Sequence, residues 1–153
     1  MSSRPTPAVS VVIPAAQAAI TLGSCIQAVL AQDVDVGFDV TIAVGPSSDD
    51  TRSIADAAAE SHPNVRVVDN PTGTTPAALN LAIAGSSGPV VVRVDAQSIL
   101  PSGYVRRAIE TMDRTGAANV GGIQRPVGSD GRQAIIAAAM SSPFGPGPAR
   151  FRR

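Results

Sequence analysis

With 153 residues, the chain is long enough to bury one real core and too short for two. Its 12 basic residues, all Arg, balance 12 acidic ones, so no net field draws nucleic acid, and with no Trp and one Tyr it lacks the platforms on which single strands stack. The lone Cys25 has no disulfide partner, no apolar run nears the roughly 18 residues of a membrane span, and residues 1–10 hold no signal-peptide core, which together point to a soluble chain in a reducing cytoplasm.

Residues 1–8 read as a disordered tail, and "AVSVVIP" (8–14) as a first strand that is β-branched and stopped by Pro14. Leu22, Ile26, Val29 and Leu30 then recur at three- and four-residue spacings, predicting a one-sided helix over about 20–31. "FDVTIAV" (38–44) is a second strand. The turn "GPSSDDT" follows, with Ser47 or Ser48 as N-cap of an Ala-rich helix over about 49–60. "HPN" breaks that helix before the third strand, "VRVVD" (65–69).

After the loop "NPTGTTP", Thr75 and Pro76 read as N-cap and first residue of a helix over 76–85, with the apolar Leu79 and Ile83 on one side. "VVVRVDAQS" (90–98) is the fourth strand. It is followed by a helix with Val105, Ile109 and Met112 inward and Arg106, Arg107 and Glu110 outward. "AANVGGI" is expected as a short fifth strand and "RQAIIAAAM" as a last short helix. Residues 9–140 make the domain, and 141–153 are an irregular tail rich in Pro and Gly.

Strands of near-continuous apolar sequence alternating with helices specify an α/β fold: an open, doubly wound, mostly parallel sheet flanked by helices. Ligands of such sheets bind beyond the carboxyl ends of the strands, where the strand order reverses. Pro14, Val44 and Asp95 fall there. Asp95 is a single carboxylate delivered to the end of a buried strand, which marks a ligand crevice.

Several chemistries are excluded. There is no G-x-x-x-x-G-K-[ST] loop and no lysine to serve one, no G-x-G-x-x-G or other Gly-rich phosphate loop after the first strand, and no G-x-S-x-G elbow. His62, the single histidine, precedes a proline in a surface turn and reads as structural.

Four segments in order carry a resemblance: "VSVVIPA", "GPSSDDT", "NPTGTTPAALNLAIAGSSGPVVVRVDAQS", and "TGAANVGG" with "AAAMSSPFGPGPARFR". Together they resemble the family 2 glycosyltransferases of the GT-A, Rossmann-like fold, especially the bacterial exopolysaccharide (succinoglycan-type) subgroup. The resemblance covers nearly the whole chain from Val9. It implies a domain that binds a UDP- or GDP-linked sugar donor, commonly with Mn²⁺ or Mg²⁺ on the diphosphate, and serves a glycan or lipid-linked acceptor. It also implies a cytoplasmic site of action, at the inner face of the plasma membrane through segments absent from this sequence. Asp95 and Gln97 occupy the first and third positions of a D-x-D-like triplet. The resemblance makes Asp95 a ribose or metal ligand, with Gln97 beside it where the family has a second carboxylate; hard oxygens suit both ions.

Departures from the family are equally visible. Val44 and Gly45 stand where acids usually meet the nucleobase, and Ala16, Gln17 and Ala18 replace a Tyr-Asn-Glu-like triplet. Pro14, Ala15, Val44 and Asp49 would line the nucleotide end, Asp49 serving either as a helix cap or as a ligand contact. Asn80 has the same two readings, a loop contact or a ligand contact. Arg93 shares a strand face with Asp95 and would pair with it or with a donor phosphate. The acceptor half, with its general base, lies downstream of the matched region, so the fold is expected to be truncated there. Glu110, Asp113 and Asp130 read as surface or capping acids. The reading is therefore the donor-binding half of a glycosyltransferase; the alternative is a non-catalytic relative that binds nucleotide weakly or serves as an interaction module.

Overall fold

The computed structural model describes residues 8–34 and 37–123, together with 125, 131, 135, 138 and 139. Its elements are β1 (Val9–Ala15), α1 (Ala19–Leu30), β2 (Phe38–Val44), α2 (Thr51–Ser61), β3 (Val65–Asp69), α3 (Thr75–Ala84), β4 (Val90–Arg93) and α4 (Tyr104–Thr115). The chain divides into two compact units, Met1–Arg107 and Ala108–Arg153.

In the first unit the four strands are all parallel and lie in the order β3-β2-β1-β4. The chain moves outward from β1 to β3 and then crosses back to the far side of β1. The order therefore reverses between β1 and β4. This is the doubly wound sheet expected from the alternation of elements.

β1 and β2 form the centre because both of their faces are covered. Val9, Val11, Ile13, Val40 and Ile42 are essentially inaccessible, and alternation puts them on one face of the paired register Val11↔Val40 and Ile13↔Ile42. The opposite face carries Val12 and Ala43, which pack against Ala78 and Ala82 of α3. Helix α1 buries Leu22, Cys25, Ile26 and Val29, and α2 buries Thr51 and Ala55.

Four local expectations are corrected. Helix α3 turns Ala78 and Ala82 inward; Leu79 is only partly buried and Ile83 is 46% exposed. Small side chains let this helix lie close on the sheet, and its apolar residues surround the axis, so no periodicity marked the inner face. The N-cap of α3 is Thr74, one residue before the expected Thr75. Helix α2 starts after Asp50, and neither Ser47 nor Ser48 caps it; both hydroxyls bond Gln17 instead. Finally, residues 117–123, the expected fifth strand, form no strand.

Buried polar groups fix the connections. Gln32 accepts from Val105 N (3.1 Å) and donates to Pro101 O (3.1 Å), tying the end of α1 to the start of α4. In the second unit, α4 ends at Gly116, whose φ of 66° permits its amide to bond Met112 O at 2.8 Å. Most of the expected last helix and the 141–153 tail lie outside the described residues, as does Asp130.

Candidate functional site

A cleft opens at the carboxyl ends of β1 and β4, where the strand order reverses. One wall is Pro14, Ala15 and Ala16 at the end of β1. The facing wall is Arg93, Asp95, Ala96 and Gln97, the continuation of β4. The segment joining β3 to α3 closes the third side with Asn70, Gly73, Thr75 and Ala78. Its volume is about 180 Å³. That is below the roughly 300–1,000 Å³ of pockets that enclose a drug-sized ligand, so the cleft has room to enclose only part of a molecule of that size.

Asp95 is held from its backbone. Val94 N bonds Val12 O at 3.0 Å, the last rung to β1, and the chain then leaves the ladder. The Asp95 carbonyl accepts from Ser98 N at 2.8 Å and from the Cys25 thiol at 3.6 Å. Its side chain, 41% exposed, accepts from Arg93 Nε at 2.9 Å. The pairing of Arg93 with Asp95 expected from their two-residue spacing is thus present. Cys25 lies beneath the floor: burial, and secondarily the Asp95 charge, push its thiol up to about 11, so it is a neutral core group rather than a nucleophile.

The loop opposite is ordered by Asn70, which is 3% exposed. Its side chain donates to Thr74 O (3.1 Å) and accepts from Thr72 Oγ1 (2.9 Å), while its backbone amide bonds Val44 O (2.9 Å). Gly73 adopts φ +69°, and a Cβ there would lie 3.2 Å from Pro46 Cδ. Neither Asn70 nor Gly73 nor Thr75 was among the residues expected at the site. They reach it by the crossover through α3, and only the turn-forming composition of "NPTG" hints at them.

Of the expected nucleotide-end residues, Pro14, Ala15, Arg93 and Asp95 border the cleft, as does Gln97, whereas Val44, Asp49 and Asn80 do not. Val44 is 5% exposed, within the sheet. Asn80 is exposed along α3. Asp49 is occupied structurally: its carboxylate accepts from Thr51 Oγ1 (2.5 Å), Thr51 N (3.1 Å) and Ala19 N (3.0 Å). Thr51 Oγ1 in turn accepts from Ala18 N at 2.7 Å. This clamp joins the β2–α2 turn to the start of α1. Gln17, at φ 48°, is held in the left-handed region between Ser47 and Ser48.

The Thr51 hydroxyl first, and the Ala19 amide next, hold the Asp49 carboxyl below the usual carboxylate range. A depressed folded pKa means the stabilisation is present above the unfolded value, about 3.9, and is lost as pH falls through the folded one. Urea melts from about pH 7 down to about pH 2 are expected to lose stability less steeply for Asp49→Asn than for wild type. Parallel curves would remove this role.

No group of three His, Cys, Asp or Glu gathers among the described residues. The donor set at the cleft fits a divalent ion poorly. Among the described residues Asp95 is the sole acid on its walls and is already paired with Arg93, and Gln97 adds a neutral amide. Magnesium commonly takes one or two carboxylates together with substrate phosphates.

A parallel doubly wound sheet with a polar cleft at its switch point, bearing one carboxylate and one guanidinium, places the chain among the α/β proteins whose ligands bind at that point. The family model for Glycosyl transferase family 2 matches residues 10–152, and the chain belongs to that family. It is 33% identical over 144 residues to the succinoglycan biosynthesis protein ExoA of Rhizobium meliloti (strain 1021), covering 93% of this chain and 44% of that protein. The mannosyltransferase PcManGT of Pyrobaculum calidifontis, solved with GDP-Man and Mn²⁺, shares the fold at TM-score 0.67 and 23% identity, over 88% of this chain and 39% of that one. The glucosyl-3-phosphoglycerate synthase of Mycobacterium tuberculosis, solved with Mn²⁺, UDP and glucosyl-3-phosphoglycerate, aligns at TM-score 0.54 and 26% identity, over 71% of this chain and 40% of that one. The chain thus spans less than half the length of these relatives.

Proposed function

We propose that this chain is the donor-binding part of a glycosyltransferase that moves sugar from a UDP- or GDP-linked donor to a glycan or lipid-linked acceptor. The observation carrying this reading is the cleft between β1 and β4, with Arg93 and Asp95 on its wall at the point of strand reversal. The nucleotide diphosphate lies across the strand ends, against Pro14 and Ala15. Arg93 faces the phosphates, and Asp95 either orients Arg93 or accepts from a ribose hydroxyl. The Asn70 loop supplies the remaining wall.

The relatives solved with Mn²⁺ support a divalent ion on the diphosphate in this family. In this chain the cleft would offer such an ion, among the described residues, only the Asp95 carboxylate, already paired with Arg93, and the Gln97 amide oxygen, a donor set that fits it poorly. No helix among the described residues is long and apolar enough to cross a membrane, and we place the chain's work on the cytoplasmic side, at the inner face of the plasma membrane.

A second reading, nucleotide binding without transfer, is favoured by the cleft's having one acid, Asp95, among the described residues. Glu110 and Asp113 lie on exposed positions of α4 in the second unit, and neither is assigned as general base. Calorimetric titration of UDP and GDP tests both readings at once. Binding at micromolar to millimolar concentration is expected, weakened roughly tenfold, or about 1.4 kcal/mol, in Asp95→Ala. The donor-site reading is abandoned if neither nucleotide binds at millimolar concentration. Binding without donor turnover when acceptor glycans are supplied would select the second reading.

A further inference from the structure

We infer that Arg93, rather than a divalent cation, supplies the positive charge that holds the donor diphosphate, so that nucleotide binding by this chain is indifferent to metal. The inference rests on the donor-binding reading above. Three observations on the cleft carry it.

The first is the count of anionic ligands. Among the described residues Asp95 is the sole acid lining the cleft, and the residue two positions on, also on the wall, is the neutral Gln97. The second is that Asp95 is already engaged. Its Oδ1 accepts from Arg93 Nε at 2.9 Å, so a cation bound there must share the carboxylate with a guanidinium and bear its repulsion. The third is the capacity left on Arg93. A guanidinium carries five N–H donors in a planar fork, and among the described residues its one hydrogen bond is Nε to Asp95. The two Nη groups remain for phosphate oxygens in the bidentate geometry that suits them. Arg93 is 54% exposed and lines the cleft, so a ligand reaches it without rearrangement of the core.

Asp95 is then a positioning residue. It fixes the guanidinium through Nε and is itself fixed through its carbonyl by Ser98 N and the Cys25 thiol. Charge neutralisation at this wall is built into the chain instead of being recruited from solution.

The test is calorimetry of UDP and of GDP against the full chain in EDTA and in MnCl₂. Wild-type affinity is expected to agree within about twofold in the two buffers. Loss of a charge-assisted contact in Arg93→Gln is expected to weaken binding roughly ten- to a hundredfold in both, and Arg93→Lys to recover part of it. Asp95→Asn is expected to weaken binding modestly and to stay indifferent to Mn²⁺, which a metal ligand would not. Gln97→Asp, which restores a second carboxylate, is expected to confer a response to Mn²⁺ that wild type lacks. Wild-type binding that tightens tenfold or more with Mn²⁺, or Arg93→Gln binding as wild type does, overturns the inference alone. No binding in either buffer overturns the donor-site reading and this inference with it. Because Arg93 is exposed, melting curves of its variants are expected to overlay wild type, separating lost contact from lost fold.

Discussion

Replacing Gly88 with alanine is expected to destabilise the chain by about 3 kcal/mol, the upper part of the usual range for overpacking, and to lower its melting temperature by roughly 10 °C. A Cβ at this position would lie 2.8 Å from Val9 C, 2.9 Å from Ser10 N and 3.0 Å from Ser10 Oγ. Two of these atoms are backbone of β1, a strand paired on both edges and buried on both faces. They cannot retreat without disturbing the sheet. Gly88 N also donates to Ser10 Oγ at 2.9 Å, and Ser10 is wholly buried. Moving Gly88 outward to relieve the clash would leave that hydroxyl with a lost partner.

Gly23 provides the control. It lies within α1, and a Cβ there meets nothing within 4 Å. Gly23→Ala is expected to stabilise by about 0.4–1 kcal/mol, because alanine restricts the unfolded chain and suits a helix. Urea denaturation followed by circular dichroism distinguishes the two. A Gly88→Ala protein with the wild-type midpoint would show that β1 and the α3–β4 connection are not in the close contact described.

The strands and the position of the candidate cleft were legible because their determinants are local. The second and third strands match their expected bounds, since β-branched runs are cut off by a Gly-Pro turn at 45–46 and by the helix-breaking Pro63. The location of Asp95 followed from one further step, the rule that a doubly wound sheet binds at its switch point. What failed depended on the depth of packing. Nothing in "TPAALNLAIA" says that two alanines, rather than Leu79 and Ile83, meet the sheet. That choice is made by how closely α3 approaches Val12 and Ala43. Likewise Asn70, Gly73 and Thr75 join the cleft only through the three-dimensional path of the crossover. Val44 was read as a site residue, and Asn80 as either a loop contact or a ligand contact, from their place along the chain, yet one is sealed within the sheet and the other is exposed along α3, outside the cleft.

Thr51→Val is expected to cost about 1–3 kcal/mol, the penalty for stranding a buried donor. It is also expected to weaken nucleotide binding beyond what lost stability explains. Thr51 is wholly buried, and its hydroxyl does two things at once. It accepts from Ala18 N, an amide preceding α1, and donates to Asp49, whose other oxygen accepts from Ala19 N. Valine keeps the shape and removes both bonds, so the change isolates the hydroxyl from the packing. The Ala18 amide then has no partner, and Asp49 loses the contact that most depresses its pKa.

The consequence reaches the cleft because Pro14, Ala15 and Ala16 lead directly into Ala18. A looser start to α1 loosens the wall on which the nucleotide is proposed to rest. Thr51 and Asp49 act as one network, so their effects should be non-additive. The double variant Thr51→Val with Asp49→Ala is expected to be little less stable than the worse of the two single variants. Two penalties that simply sum would mean that each residue acts alone. The β2–α2 turn would then be a pair of independent contacts and not the clamp that positions this wall of the cleft.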